Sequence, residues 1–202
     1  MNTPDAGMPA IVRALPGALR ATVLIIVGIV VTFSAPLHEN FTFNRSVFLG
    51  SLLVLALVQT AVFLSPKLRP HMSQGGTASI FVDSMAAIFG FVGAVTVDSL
   101  THTVAVWALL SAIVVALTRR FATRTNDAWA QAFLLLGLAL AAEATRGDQV
   151  MLIGFFGAYA MIAGVFQAIA AADHTNRTTA ADEDANRRTA DQSADTEAPV
   201  DQ

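Results

Sequence analysis

The 202-residue chain has no cysteine and a single lysine, Lys67, against eleven arginines. Without cysteine it can hold no disulfide, no thiolate metal site and no cysteine nucleophile. Charge is scarce too: only 13% of residues are charged, where a soluble domain carries about a quarter. Eight of the fifteen acidic residues crowd between Asp173 and Asp201, so long stretches upstream have no charge at all. G-x-G-x-x-G and P-loop patterns, which cradle phosphates, are missing. No Ser, His and acid combination sits in a hydrolase context such as G-x-S-x-G. These absences point away from an enzyme, from a bound cofactor and from nucleic-acid binding.

What the chain does have is apolar length, with 54% hydrophobic residues. Six segments approach the roughly 20 residues needed to cross a hydrocarbon core of about 30 Å. They run from about Ala18 to Pro36, Ser46 to Leu64, Thr77 to Val97, Thr101 to Thr118, Asp127 to Glu143 and Asp148 to Ala172. A bilayer offers no water to backbone amides, so each segment is expected to be helical. Pro36, Pro66 and Pro70 fall just beyond helix ends, where a missing N–H does least harm. Short connections imply antiparallel hairpins. The fold expected is an all-α membrane protein with six transmembrane helices arranged as three hairpins.

The first apolar run begins after Arg13 and Arg20 and continues at spanning length to Ala35, unlike a cleaved leader. Residues 1–17 are expected to be cytoplasmic, with Met8–Leu19 suited to lie along the interface. Residues 18–172 form the bundle. Residues 173–202 are a polar, acidic tail with too little apolar surface to fold, expected to be disordered. Basic residues set the orientation. Ten of them (Arg13, Arg20, Lys67, Arg69, Arg119, Arg120, Arg124, Arg177, Arg187 and Arg188) fall on one side, and only Arg45 and Arg146 on the other. Both termini are therefore expected in the cytoplasm of a cell whose plasma membrane holds the chain.

Asp83, in the run Ser79-Ile80-Phe81-Val82-Asp83-Ser84, is the sharpest anomaly. A carboxylate inside a span costs several kcal/mol unless it is protonated, paired or beside water. It reads as a proton or cation relay, or else as a residue at the headgroups if the third helix starts late. Gln59 and Gln167 sit inside even-numbered helices, where amides hydrogen-bond across to neighbours. The three together are the candidate intramembrane polar site. The outward turns gather His38, Asp98, His102 and Glu143, a set able to titrate near neutral pH and the candidate pH-sensing cluster. No metal site is expected: no two of His38, His71, His102 and His174 share helical spacing. Arg20 reads as a topogenic charge ahead of the first helix, and Trp107 and Tyr159 as packing aromatics.

The hairpins resemble one another. Trp107-Ala108-Leu109-Leu110-Ser111-Ala112 aligns with Tyr159-Ala160-Met161-Ile162-Ala163-Gly164. In the odd helices Gly28 precedes Pro36 by eight residues, Gly90 precedes Asp98 and Gly137 precedes Thr145 at the same offset. The even helix of the first hairpin, Gly50 to Leu64, fits least well and lacks the aromatic. This threefold pattern, carried by Gly28, Gly90, Trp107, Gly157, Tyr159 and Gly164, resembles the HdeD-like family of bacterial inner-membrane proteins over about Ala18 to Ala172. The resemblance implies a six-helix membrane protein associated with acid or envelope stress, and carries over no catalytic residues. A small transporter or channel subunit using Asp83 is the alternative. Gly90, Gly93, Gly154, Gly157 and Gly164 predict close packing, within the chain or between copies in a homo-oligomer, and the lipid bilayer is the other partner.

Overall fold

The computed structural model describes residues 10–71, 74–118 and 125–196. Every regular element among them is helical. Six helices follow in order: α1 (Ala10–Phe33), α2 (Phe41–Leu64), α3 (Gln74–Gly93), α4 (Val97–Thr118), α5 (Thr125–Ala144) and α6 (Gln149–Thr196). Five of them are long and apolar enough to cross a membrane: Ala14–Phe33, Phe41–Leu64, Gly76–Gly93, Val97–Thr118 and Gln149–Arg177. The apolar part of α5, Ala128–Ala144, is shorter, about 25 Å at 1.5 Å per residue.

The surface is apolar and the interior holds the polar groups. Phe33, Phe81, Phe89, Phe91, Val92 and Phe166 are all exposed, while His38, Asn44, Ser51, Gln59, Asp83 and Thr101 are buried. A surface of that kind suits lipid and would drive aggregation in water. The chain is an all-α protein built as multi-pass membrane proteins are.

Local chemistry sets the helix ends, and several differ from the expected ones. The third span ends at Gly93, before the expected Val97, and the fourth begins at Val97, before the expected Thr101. A reciprocal cap is the reason. The Thr96 hydroxyl accepts from the Ser99 amide at 3.2 Å, and the Ser99 hydroxyl accepts from the Thr96 amide at 2.9 Å, the two-way pattern of a capping box. Asn40 caps α2 by accepting from the Phe43 amide at 3.2 Å. Asp148 caps α6 by accepting from the amides of Val150 and Met151, both at 3.0 Å. At the other extreme α1 starts at Ala10 and passes through Pro16. Arg20 therefore lies inside the first span and not ahead of it.

Around the bundle each helix touches its sequence neighbours, and α1 closes the ring on α6. The closest pairs are α1–α6, α4–α5 and α2–α3, not the pairs joined as hairpins α1–α2, α3–α4 and α5–α6. Glycine explains the α1–α6 pair. A Cβ added at Gly28 would meet the Met161 amide nitrogen at 2.9 Å, and one at Gly164 would meet the Ile25 nitrogen at 2.9 Å. Gly157 faces Val31 and Gly17 faces Ala171 along the same seam. As α1 advances α6 retreats, so the two are antiparallel and the entry to α1 lies at the same end of the bundle as the exit of α6. Phe48, Trp107, Phe156 and Tyr159 pack edge to face at the centre, with ring centroids 5.1–6.1 Å apart.

Residues 173–196, expected to lack structure, continue α6 as a helix. Arg177 and Asp173 pair at 3.3 Å one turn apart, and no core residue lies beyond Ala163 among the described residues. The side chains described between 173 and 180 are half-buried or exposed. Residues 1–9 of the expected interfacial segment, the arginines Arg119, Arg120 and Arg124, and residues 197–202 of the tail lie outside the described residues.

Gly164→Ala should wedge α1 from α6 and lower the thermal midpoint in detergent, at a cost of about 1–3 kcal/mol typical of overpacking. Gly154, with nothing within 4 Å of an added Cβ, is the control, and Gly154→Ala should leave the midpoint unchanged or slightly raised.

Candidate functional site

Asp83 is 1% exposed. It lies seven residues inside the apolar start of α3 at Gly76, about 10 Å along the helix, and is enclosed by the bundle. A carboxylate there needs donors, and two arrive from neighbouring helices. Gln59 on α2 donates its Nε2 proton to Oδ2 at 2.9 Å, and Trp107 on α4 donates its indole N–H to Oδ1 at 2.8 Å. Gln59 Nε2 also lies 3.2 Å from the Leu55 carbonyl. Its own Oε1 accepts from Arg20 Nη1 of α1 at 3.2 Å.

The result is a chain of polar contacts, Arg20–Gln59–Asp83–Trp107, with one member from each of four helices. The edge of Trp107 meets the Tyr159 ring of α6, centroids 5.9 Å apart at 83°. The acid and the base do not touch. An amide stands between them, so Asp83 is charge-compensated only through Gln59. Neither immediate donor to the carboxylate carries a charge, and this combination separates the site from an ordinary ion pair.

Of the three residues expected at an intramembrane site, two are brought together and one is not. Gln167 is half-buried on α6 and makes no bond to Asp83 or Gln59; its Nε2 is buried with no acceptor. Two members of the cluster were not foreseen as such. Arg20 looks topogenic because two arginines ahead of an apolar run are the usual flank of a first span. Trp107 looks like packing because nothing in a sequence distinguishes a tryptophan whose N–H is needed. The available signal was Asp83 itself: a buried carboxylate demands a donor from some other helix.

The outward set divides. His102 Nδ1 and Glu143 Oε1 are 2.9 Å apart, and Arg146 reaches Glu143 Oε2 at 2.5 Å. All three are exposed, which makes them a solvated ion cluster linking α4 to the end of α5. His38 does not join them. It is buried, 3.3 Å from the Ser34 hydroxyl and stacked on Phe43, and its carbonyl accepts from Asn44 Nδ2 at 2.6 Å. Asp98 is exposed in the first turn of α4, with no hydrogen bond to either histidine. The four residues thus do not form one cluster. Among the described residues no three His, Cys, Asp or Glu side chains converge to hold a metal ion; the side chains of His71 and His174 lie outside the described residues.

No protein-family model, curated protein or solved structure matches the chain. Its chemistry is therefore read from the site.

Trp107→Phe keeps the ring packing and removes one donor from Asp83. It should destabilise the bundle by about 1–3 kcal/mol, the cost of a buried unmatched acceptor. Adding Asp83→Leu to it should recover much of that loss, as thermal unfolding of the three variants in one detergent will read.

Proposed function

We propose that the chain is a non-enzymatic, six-span protein of the plasma membrane in which Asp83 takes up and releases a proton within the bundle. The observation that carries this is a buried carboxylate held by two uncharged donors, with the Arg20 guanidinium one amide removed. A proton added to Asp83 must land on an oxygen that now accepts a hydrogen bond. Trp107 can only donate, whereas an amide offers both a donor and an acceptor edge. A proton on Oδ2 is therefore felt first by Gln59, the partner able to turn and accept from it. A change of charge is thereby tied to a change of contact between α2 and α3, as a proton-coupled transporter or channel subunit requires.

Six spans and a threefold plan agree with this reading. The antiparallel α1–α6 seam needs an even number of crossings between them, four of them when the 17-residue apolar stretch of α5 also spans. Ser51, Trp107 and Tyr159 each lie ten residues beyond the first residue of their helix, Phe41, Val97 and Gln149. Each is buried and followed by a buried residue; the next two are exposed after Ser51 and Trp107, whereas after Tyr159 Met161 is half-buried and Ile162 exposed. Ser51 thus stands in the first hairpin where the others have an aromatic. Gly28 and Gly90 each pack on the even helix before them in the ring, α6 and α2. These correspondences also support kinship with HdeD-like proteins and, with it, a role in acid or envelope stress. The excess of arginine at the shared end of the termini supports a cytoplasmic placement for both.

Infrared difference spectra of the full chain in nanodiscs should show a protonated-carboxyl band that grows as pH falls and is missing in Asp83→Asn. In liposomes under a pH gradient, Asp83→Asn should lower proton flux about tenfold or more, the scale of losing a proton-transfer group. A silent carboxyl across about pH 3 to 9, the range over which protein carboxyls titrate, together with unchanged flux, would falsify the proposal. The absence of cysteine makes the topology directly testable. Single cysteines at Lys67 and at Arg187 should react with an impermeant maleimide from one side, and a cysteine at Arg146 from the other.

A further inference from the structure

The α1–α6 seam holds two donors that the Asp83 chain does not use. Arg20 Nε and Gln167 Nε2 are each buried without an acceptor. Both residues belong to the facing stripes. On α1 the seam runs through Gly17, Ala21, Ile25, Gly28 and Val31, and Arg20 lies one turn beyond Gly17. On α6 it runs through Gly157, Met161, Gly164 and Ala171, and Gln167 lies between the last two. Gly28 is level with Met161 and Gly17 with Ala171, so in this antiparallel register Arg20 is level with residues 168–169. Two unmet N–H groups, one of them on a cation, thus lie within one helical turn of each other along the seam.

We infer that Arg20 and Gln167 bind a small monovalent anion, which is taken up together with a proton on Asp83. This rests on the proton reading above and adds its substrate class. Charge balance is the argument. Arg20 and Asp83 sum to zero when both are ionised, so an anion arriving alone would leave a net negative charge in a low-dielectric interior, where like charges are costly. An anion arriving with one proton leaves the site neutral.

Gln59 is the link between the two events. Its Oε1 accepts from Arg20 while its Nε2 donates to Asp83. When Oδ2 of Asp83 gains a proton it becomes a donor, and the amide must turn over to accept from it. That turn breaks the Nε2 contact with the Leu55 carbonyl and presents N–H groups toward Arg20. Arg20 then loses its only side-chain acceptor among the described residues, and its Nη1 joins Nε in needing one. An anion between Arg20 and Gln167 meets that need. No proton passes through the anion itself.

The titratable groups near Asp83 are few. Arg20 comes from α1 and the Tyr159 hydroxyl from α6. Within their spans α2 and α4 add only Arg45, Asp98 and His102, all toward the far end, and α3 adds none besides Asp83. Linkage therefore reports a single proton.

The test uses the purified full chain in lipid-free, weakly buffered detergent with a pH indicator, titrated with sodium chloride and separately with sodium formate. The expected result is uptake of one proton per anion bound, with apparent Kd rising about tenfold per pH unit once Asp83 is ionised. Asp83→Asn should bind the anion without proton uptake and without pH dependence. Arg20→Gln should abolish binding while the Asp83 infrared band still titrates, and Gln167→Leu should raise Kd about tenfold, the scale of one hydrogen bond to a charged group. If Arg20→Gln does not fold, the wild-type proton uptake decides alone. Anion binding without proton uptake, stabilisation by phosphatidylglycerol but not by chloride or formate, or no anion dependence at all would each overturn the inference. A titrating Asp83 with no anion-linked uptake overturns only this inference; a silent Asp83 overturns the proton reading first and this one with it.

Discussion

Everything polar in this bundle is arranged around one constraint: a carboxylate placed where lipid surrounds the protein must find its hydrogen bonds inside the chain. Asp83 finds them on α2 and α4, and the amide that serves it also holds Arg20 of α1. Four helices are thereby fixed at one level. Burial in the membrane provides little preference between one helix packing and another, since lipid tails are as apolar as leucine. A directional contact that only one register satisfies supplies that preference.

Two sorts of close approach complete the arrangement. Where polar contacts hold α1 to α4, backbone proximity holds α1 to α6 through Gly28, Gly157 and Gly164. The central rings fill what remains, and the Trp107–Tyr159 contact joins the two systems, because Trp107 is both a packing residue and a donor to Asp83. Asp83 is thus joined to Tyr159 of α6 by way of Trp107, and to Arg20 of α1 by way of Gln59.

The sequence made the helical content, most span limits and the importance of Asp83 legible, since hydropathy and an isolated charge are local signals. Gln59 was legible as a partner for the same reason. Arg20 was not, because its role depends on α1 starting at Ala10 and carrying it into the span. Trp107 was not, because its indole direction is a tertiary fact. The boundary at Gly93 and Val97 was hidden by continuous apolar character from Met85 to Val95, and settled by two hydroxyls at Thr96 and Ser99. His38 bonds and stacks within its own turn while His102 pairs with Glu143, since shared sidedness does not by itself set which turns bond to one another.

The ring closes between the first helix and the last. During synthesis α1 leaves the ribosome earliest, yet the surface that fits Gly28 and Ile25 is formed by residues made more than a hundred positions later. Loops this long close slowly relative to neighbouring contacts. Until α6 is in place, the faces of Gly28 and Ile25 on α1 lack the backbone they pack against. The addition of α6 is the event that turns a row of inserted segments into a bundle.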